Sequence, residues 1–111
     1  MAADQILIER LRDALSDEST VHEVKMFGGL SFMVNNRMVV CANNDGGLLV
    51  RVAPADHERC LTWNGARQAE MGKGRSMGTG WIAVSVDAVQ EDEQLDRWVQ
   101  LALDHNREAT Q

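Results

Sequence analysis

In the stretch PADHERCLTW, residues 54–63, His57 and Cys60 stand three apart. Pro54 opens the stretch, and its fixed φ suits the first turn of a short helix that would carry both side chains on one face. Such a pair is half of a tetrahedral metal site, or a thiol beside a base. A zinc site needs two more ligands, for which only His22 and Cys41 are near in the chain, and no CxxC or HxxxH pair occurs. No local motif supports an activated thiolate. Cysteine is among the residues most often buried, so both cysteines read as core. The chain is therefore expected to use no metal and no cofactor, to have no catalytic residue, and not to be an enzyme.

Two glycine-containing stretches are the next candidates. In MFGGLSFMV, residues 26–34, Gly28 and Gly29 sit between apolar runs, and no helix follows. A phosphate cradle needs amides converging on a helix N-terminus, so this pair reads as a structural turn or bulge. The segment GKGRSMGTG, residues 72–80, matches neither GxxxxGK[ST] nor GxGxxG in a strand-to-helix setting. Its glycines nevertheless let N–H groups turn inward, with Lys73 and Arg75 to hold an anion. Lys25, Arg37, Arg51, Arg67, Lys73 and Arg75 lie in the middle of the chain, between acid-rich ends. Arg51, Lys73 and Arg75 are the candidate binding residues, for a partner or an anion, against the plainer reading of a flexible loop and a solvated surface.

The elements that would position these residues follow from periodicity. After Asp4, an N-cap type, QILIERLRDAL carries Leu7, Ile8, Leu11 and Ala14 at helical spacing. From Val21 to Val52, VHEVKMF, LSFMV, MVVCAN and LLVRV are strand-like runs divided by Gly28-Gly29, Asn35-Asn36 and Asp45-Gly46-Gly47, which predicts an antiparallel meander. Alternation puts Leu30, Phe32 and Val34 on one face and Ser31 and Met33 on the other. Leu48, Val50 and Val52 likewise oppose Leu49 and Arg51. Residues 64–80 read as a flexible connection, and WIAVSV, 81–86, as a strand with Ile82, Val84 and Val86 on one face. EDEQLDRWVQLALDHNRE then predicts a helix with Leu95, Trp98, Val99, Ala102 and Leu103 as its apolar stripe. The expected fold is one α+β domain over 1–111: about five antiparallel strands, covered on one face by helices, in the order α-βββ(β)-α-β(β)-α. Five of the six methionines, Met26, Met33, Met38, Met71 and Met77, gather around the meander and the loop and read as core filler before partner surface.

With 111 residues, 44% apolar and 25% charged, the chain has an ordinary one-domain composition. Acids outnumber bases 17 to 11 for a net charge of −6, which disfavours a nucleic-acid partner. No run approaches a membrane span, and the first residues show no secretory h-region. A cytoplasmic protein with reduced thiols and no membrane contact is the expectation.

The stretch KMFGGLSFMVNNRMVVC, then LLVRVAP, GRSMGTGWIAV and the terminal amphipathic helix, resembles the TfoX N-terminal domain family. The resemblance runs from about Ile6 to Leu103, and Met26-Phe27-Gly28-Gly29 with Arg51-Val52 is its most specific part. It implies a two-layer fold similar to that of secretion chaperones. In that family the domain forms the front part of the TfoX/Sxy regulators of bacterial competence and also occurs alone. Their second domain has no counterpart in these residues, so the regulatory role is not expected to transfer whole. The glycine-arginine segment before the last strand is expanded here, and the family supplies no catalytic residue to carry over. A non-enzymatic module with a protein partner is the first expectation, a nucleotide-, anion- or nucleic-acid-binding domain the second. A sheet edge able to recruit a further copy makes a homodimer an additional one.

Overall fold

A computed structural model describes residues 5–18, 20–26, 29–43, 46–70 and 74–109. Helix α1 (Gln5–Ala14) buries Leu7, Ile8 and Leu11, the positions its periodicity marks. The meander follows as β1 (His22–Met26), β2 (Gly29–Val34), β3 (Arg37–Asn43) and β4 (Leu48–Arg51). A 3-10 turn over Pro54–Asp56 leads into the short α2 (His57–Leu61). Then come β5 (Ala66–Gln68), β6 (Trp81–Val84), a second 3-10 turn over Val86–Val89 and α3 (Asp92–Ala109). The proposed cap Asp4 lies outside the described residues.

All six strands form one antiparallel sheet in the order β1-β2-β3-β4-β6-β5. The fold is α+β, as expected, and the six strands fill the expected order α-βββ(β)-α-β(β)-α. The one strand with no run of its own in the sequence is β5, inside the segment read as connection. Three residues with one alternation are too short for a periodic signal. The last strand is also shorter than WIAVSV suggests. Val86 turns into the 3-10 segment and is 43% exposed instead of lining the core.

The turns follow residue chemistry. Asn35 and Asn36 adopt φ of 53° and 65°, the left-handed pair that a two-residue hairpin needs, between the partners Val34 and Arg37. Gly29 answers to a close approach. A Cβ there would lie 2.1 Å from the carbonyl oxygen of Ala42 on β3, so no side chain fits. Gly29 stands inside β2, paired with Met26 on one side and Asn43 on the other, while Gly28 lies outside the described residues. Between β2 and β3 the register shifts after Phe32, leaving Val39 as an extra residue. The bulge turns Val39 and Val40 to the same face and sends Met38 to the other.

All three helices pack on one face. Phe32, Val34, Val40, Ala42, Leu48, Val50, Ile82 and Val84 from the sheet meet Leu11, Cys60, Leu95, Trp98, Val99 and Leu103 from the helices. Each fully buried side chain of this size stabilises by roughly 1.5–3 kcal/mol. The ion pairs Arg10–Asp92 and Arg107–Glu18 are solvent-exposed, where such pairs contribute about 0–1 kcal/mol, so the core decides the packing. Asn106 of α3 adds a polar clamp: its buried amide donates to the Val34 carbonyl oxygen at 2.9 Å.

Candidate functional site

The second sheet face carries its own smaller cluster. Met38, Cys41, Leu49 and Ala69 are buried there, with Met33, Met77, Trp81 and Ala83 half-buried around them. Among the described residues no helical side chain belongs to this cluster. It is the odd set of the β4 alternation, continued across β6 by the register Leu49↔Ala83 and Arg51↔Trp81.

That register gives Arg51 its neighbour. Its guanidinium lies 4.9 Å from the centre of the Trp81 ring, a cation–π contact on the half-buried rim of the cluster. Arg67 stands opposite Ala83 and projects from the same face at the β5 edge. The methionines read as core filler divide: Met38 is buried, Met33 and Met77 half-buried, and all three lie on this second face. Met71 and the Met26 side chain lie outside what is described.

The base of the 72–80 segment is fastened. Met77 N–H donates to Ala69 O, Gly78 N–H to the Ser76 hydroxyl, Trp81 N–H to Gly78 O and Val52 N–H to Gly80 O. The Gln68 amide donates to the carbonyls of Ala69, Gly78 and Trp81. Gly80 N–H, 23 residues away in sequence, donates to Nδ1 of His57 at 2.9 Å. The amides of 77, 78, 80 and 81 thus already have protein acceptors. Arg75 is exposed toward the tip of the segment, and Lys73 lies outside the described residues. Arg51 is placed by a strand and Arg75 by the loop, and no described contact joins the two.

The thiols sit in apolar ground. Burial pushes the Cys41 thiol up from its ordinary value, partly countered by the Ser31 hydroxyl opposite it, and burial with Asp56 nearby pushes up Cys60. Raised thiols are poor nucleophiles. His57 uses Nδ1 as an acceptor, and among the described residues no three His, Cys, Asp or Glu side chains gather as metal ligands. At the far end of α3, burial, with Arg51 and Arg37 in range, holds the His105 imidazole below its ordinary value, against Glu108. Arg59 and Arg97 both approach the Trp63 ring, which packs on Trp98 at 4.8 Å. Local sequence gave no sign of the Arg51–Trp81, His57–Gly80 or Asn106–Val34 contacts, because each depends on a long-range register.

The architecture is a two-layer α+β domain with one helix-covered face and one face of methionine, tryptophan and arginine. The TfoX N-terminal domain model matches residues 13–106, nearly the whole chain, and the protein belongs to that family. No curated protein and no solved structure matches it significantly. Among the described residues, no helix is long and apolar enough to cross a membrane.

Proposed function

We propose that the protein is a non-enzymatic interaction module, akin in role to the N-terminal part of competence regulators, that docks a protein partner on the sheet face opposite its helices. The observation that supports this is the half-buried rim of Met33, Met77 and Trp81 around an apolar cluster that no described helix covers. Methionine surfaces adapt to a partner's shape, and the Arg51–Trp81 pair is the kind of anchor that dominates binding energy. Arg51 and Arg67 on this face favour a partner segment that is apolar and framed by carboxylates. A cytoplasmic location suits this reading and the raised, reduced thiols.

A photo-crosslinking residue at Met33 or Arg67, with Asp104 on α3 as control, tests it in cells. One protein captured from both face positions and absent at Asp104 is the expected result. Equal labelling at all three positions would sink the reading.

The second reading is an anion or nucleic-acid site on the 72–80 segment, with Arg51, Lys73 and Arg75. The exposed Arg75 supports it, whereas the occupied amides and the net charge of −6 weigh against it. Affinity for duplex DNA that falls steeply with salt and drops in Arg75→Ala would favour it.

A further inference from the structure

The sheet ends in two unlike edges. β5 is three residues long, and beyond it Ala69 accepts from Met77 N–H and Glu70 bridges to Ser76. β1 is five residues, His22–Met26, pairs only with β2 in a regular register, and contains no proline. His22, Glu23, Val24 and Lys25 are all exposed, and Val24, at 39%, is one of three large hydrophobic residues left open to solvent among the described residues. Natural sheets blunt such an edge with proline, a bulge or charged side chains, and β1 carries only the last, one acid and one base whose opposite signs let two copies pair.

We infer that β1 pairs antiparallel with β1 of a second copy, centred on Val24, joining the two sheets into one. Charge selects the register. Centring on Val24 sets Glu23 opposite Lys25 of the second copy and Lys25 opposite its Glu23, on the face that carries the helices. Moving the two-fold axis one residue either way places Glu23 against Glu23 or Lys25 against Lys25, and like charges directly opposed destabilise a strand pair. In the favoured register Val24 meets Val24 on the other face, covering an exposed apolar side chain. The pairing joins residues of the same parity, so the outward N–H and C=O groups of one strand meet those of the other.

Glu23 is held ready for this contact. Arg12 donates to both of its carboxylate oxygens at 2.8 Å, from Nε and from Nη2. A carboxylate accepts about four hydrogen bonds, so two positions remain for the ammonium of Lys25 from the second copy. The contact would run Arg12–Glu23–Lys25 across the two-fold axis at both ends of the paired segment.

The test needs only the purified protein, so its outcome is separate from whether any partner docks on the open face. Sedimentation equilibrium should show a dimer for the unaltered chain. Lys25→Glu alone, and Glu23→Lys alone, should each weaken dimerisation about tenfold or more, by opposing like charges at both ends. Mixing the two variants should restore a one-to-one heterodimer, because every charge then faces its opposite. Glu23→Lys also removes a partner of Arg12, so Val24→Lys serves as a variant that alters only an exposed side chain, and it should be monomeric. A monomeric unaltered protein, a dimer indifferent to Lys25→Glu and Val24→Lys, or two folded charge variants that fail to pair when mixed would each overturn the inference.

Discussion

Nδ1 of His57 accepts a hydrogen bond from the backbone N–H of Gly80, and the same glycine's carbonyl accepts from Val52 N–H at 2.8 Å. One residue thus ties the start of α2 and the end of β4 to the entrance of β6. An imidazole nitrogen that accepts carries no proton, so the tautomer is fixed with the proton on Nε2.

Replacing His57 by Ala leaves the buried Gly80 N–H without an acceptor, at a cost of roughly 1–3 kcal/mol. Urea unfolding should show a lower midpoint at unchanged slope. His57→Asn keeps an acceptor close to the Nδ1 position and should lose less. Equal losses in the two variants would mean that imidazole packing, and not the hydrogen bond, holds the segment.

Gly29→Ala forces a Cβ against the Ala42 carbonyl, which belongs to backbone and cannot rotate away. Overpacking of this kind costs roughly 1–3 kcal/mol, with a backbone obstacle at the upper end. Gly74→Ala meets nothing within 4 Å and bears only the left-handed conformation at φ 77°, about 1–2 kcal/mol. Thermal melts of the two variants should rank in that order.

The Arg12 guanidinium, donating to the Glu23 carboxylate, holds that carboxyl below the usual carboxylate range. A depressed carboxylate contributes stability that is complete above the unfolded value and is lost as pH falls through the folded one. In Arg12→Met the NMR titration of Glu23 should move up toward about 4.3, the ordinary glutamate value. The stability gap between the two proteins should close in acid below that range.

His105 is depressed by burial first, with Arg51 and Arg37 adding to it. Its neutral form is favoured in the folded state, so stability is complete above the ordinary histidine value and falls as pH drops through the folded one. Arg51→Gln should raise the His105 pKa, read from its imidazole proton shifts. An unmoved titration would show that Arg51 has no part in it and leave burial and Arg37 as the causes.

Asn106→Ala removes the donor to Val34 O and the acceptor for the Asn35 side chain, which approaches at 3.3 Å. Losing a buried hydrogen bond of this kind costs roughly 0.5–1.5 kcal/mol. Hydrogen exchange should speed up in the β2–β3 hairpin more than in β4 or β6.

The meander and both long helices could be read from the chain because each advertises itself locally. Phe32 and Val34 alternate with Ser31 and Met33, Asn35-Asn36 supplies two left-handed residues, and Leu95 to Leu103 recur at helical spacing. The 72–80 segment reads as loose because its glycines outnumber its apolar residues. At Gly78 and Gly80 it is held by Gln68, His57 and Val52, residues outside it. Met33 and Met77 look like core by type, and only the placement of every helix on the opposite face shows where they sit. Asn106 extends the apolar stripe of α3 by one polar position, which hydropathy alone leaves on the surface.

The dependence of the sheet on α3 also has a consequence in time. β3 and β4 rest against a helix that begins about forty residues after β4 ends, so at about 5–20 residues per second the ribosome makes those strands roughly 2–8 s before it starts their cover. During that interval Val40, Ala42, Leu48 and Val50 have α1 and then the five-residue α2 to shield them, but not the stripe of α3. Nascent chains stalled before Asp92 should therefore recruit hydrophobic-binding chaperones, and chains extended past Asn106 should release them.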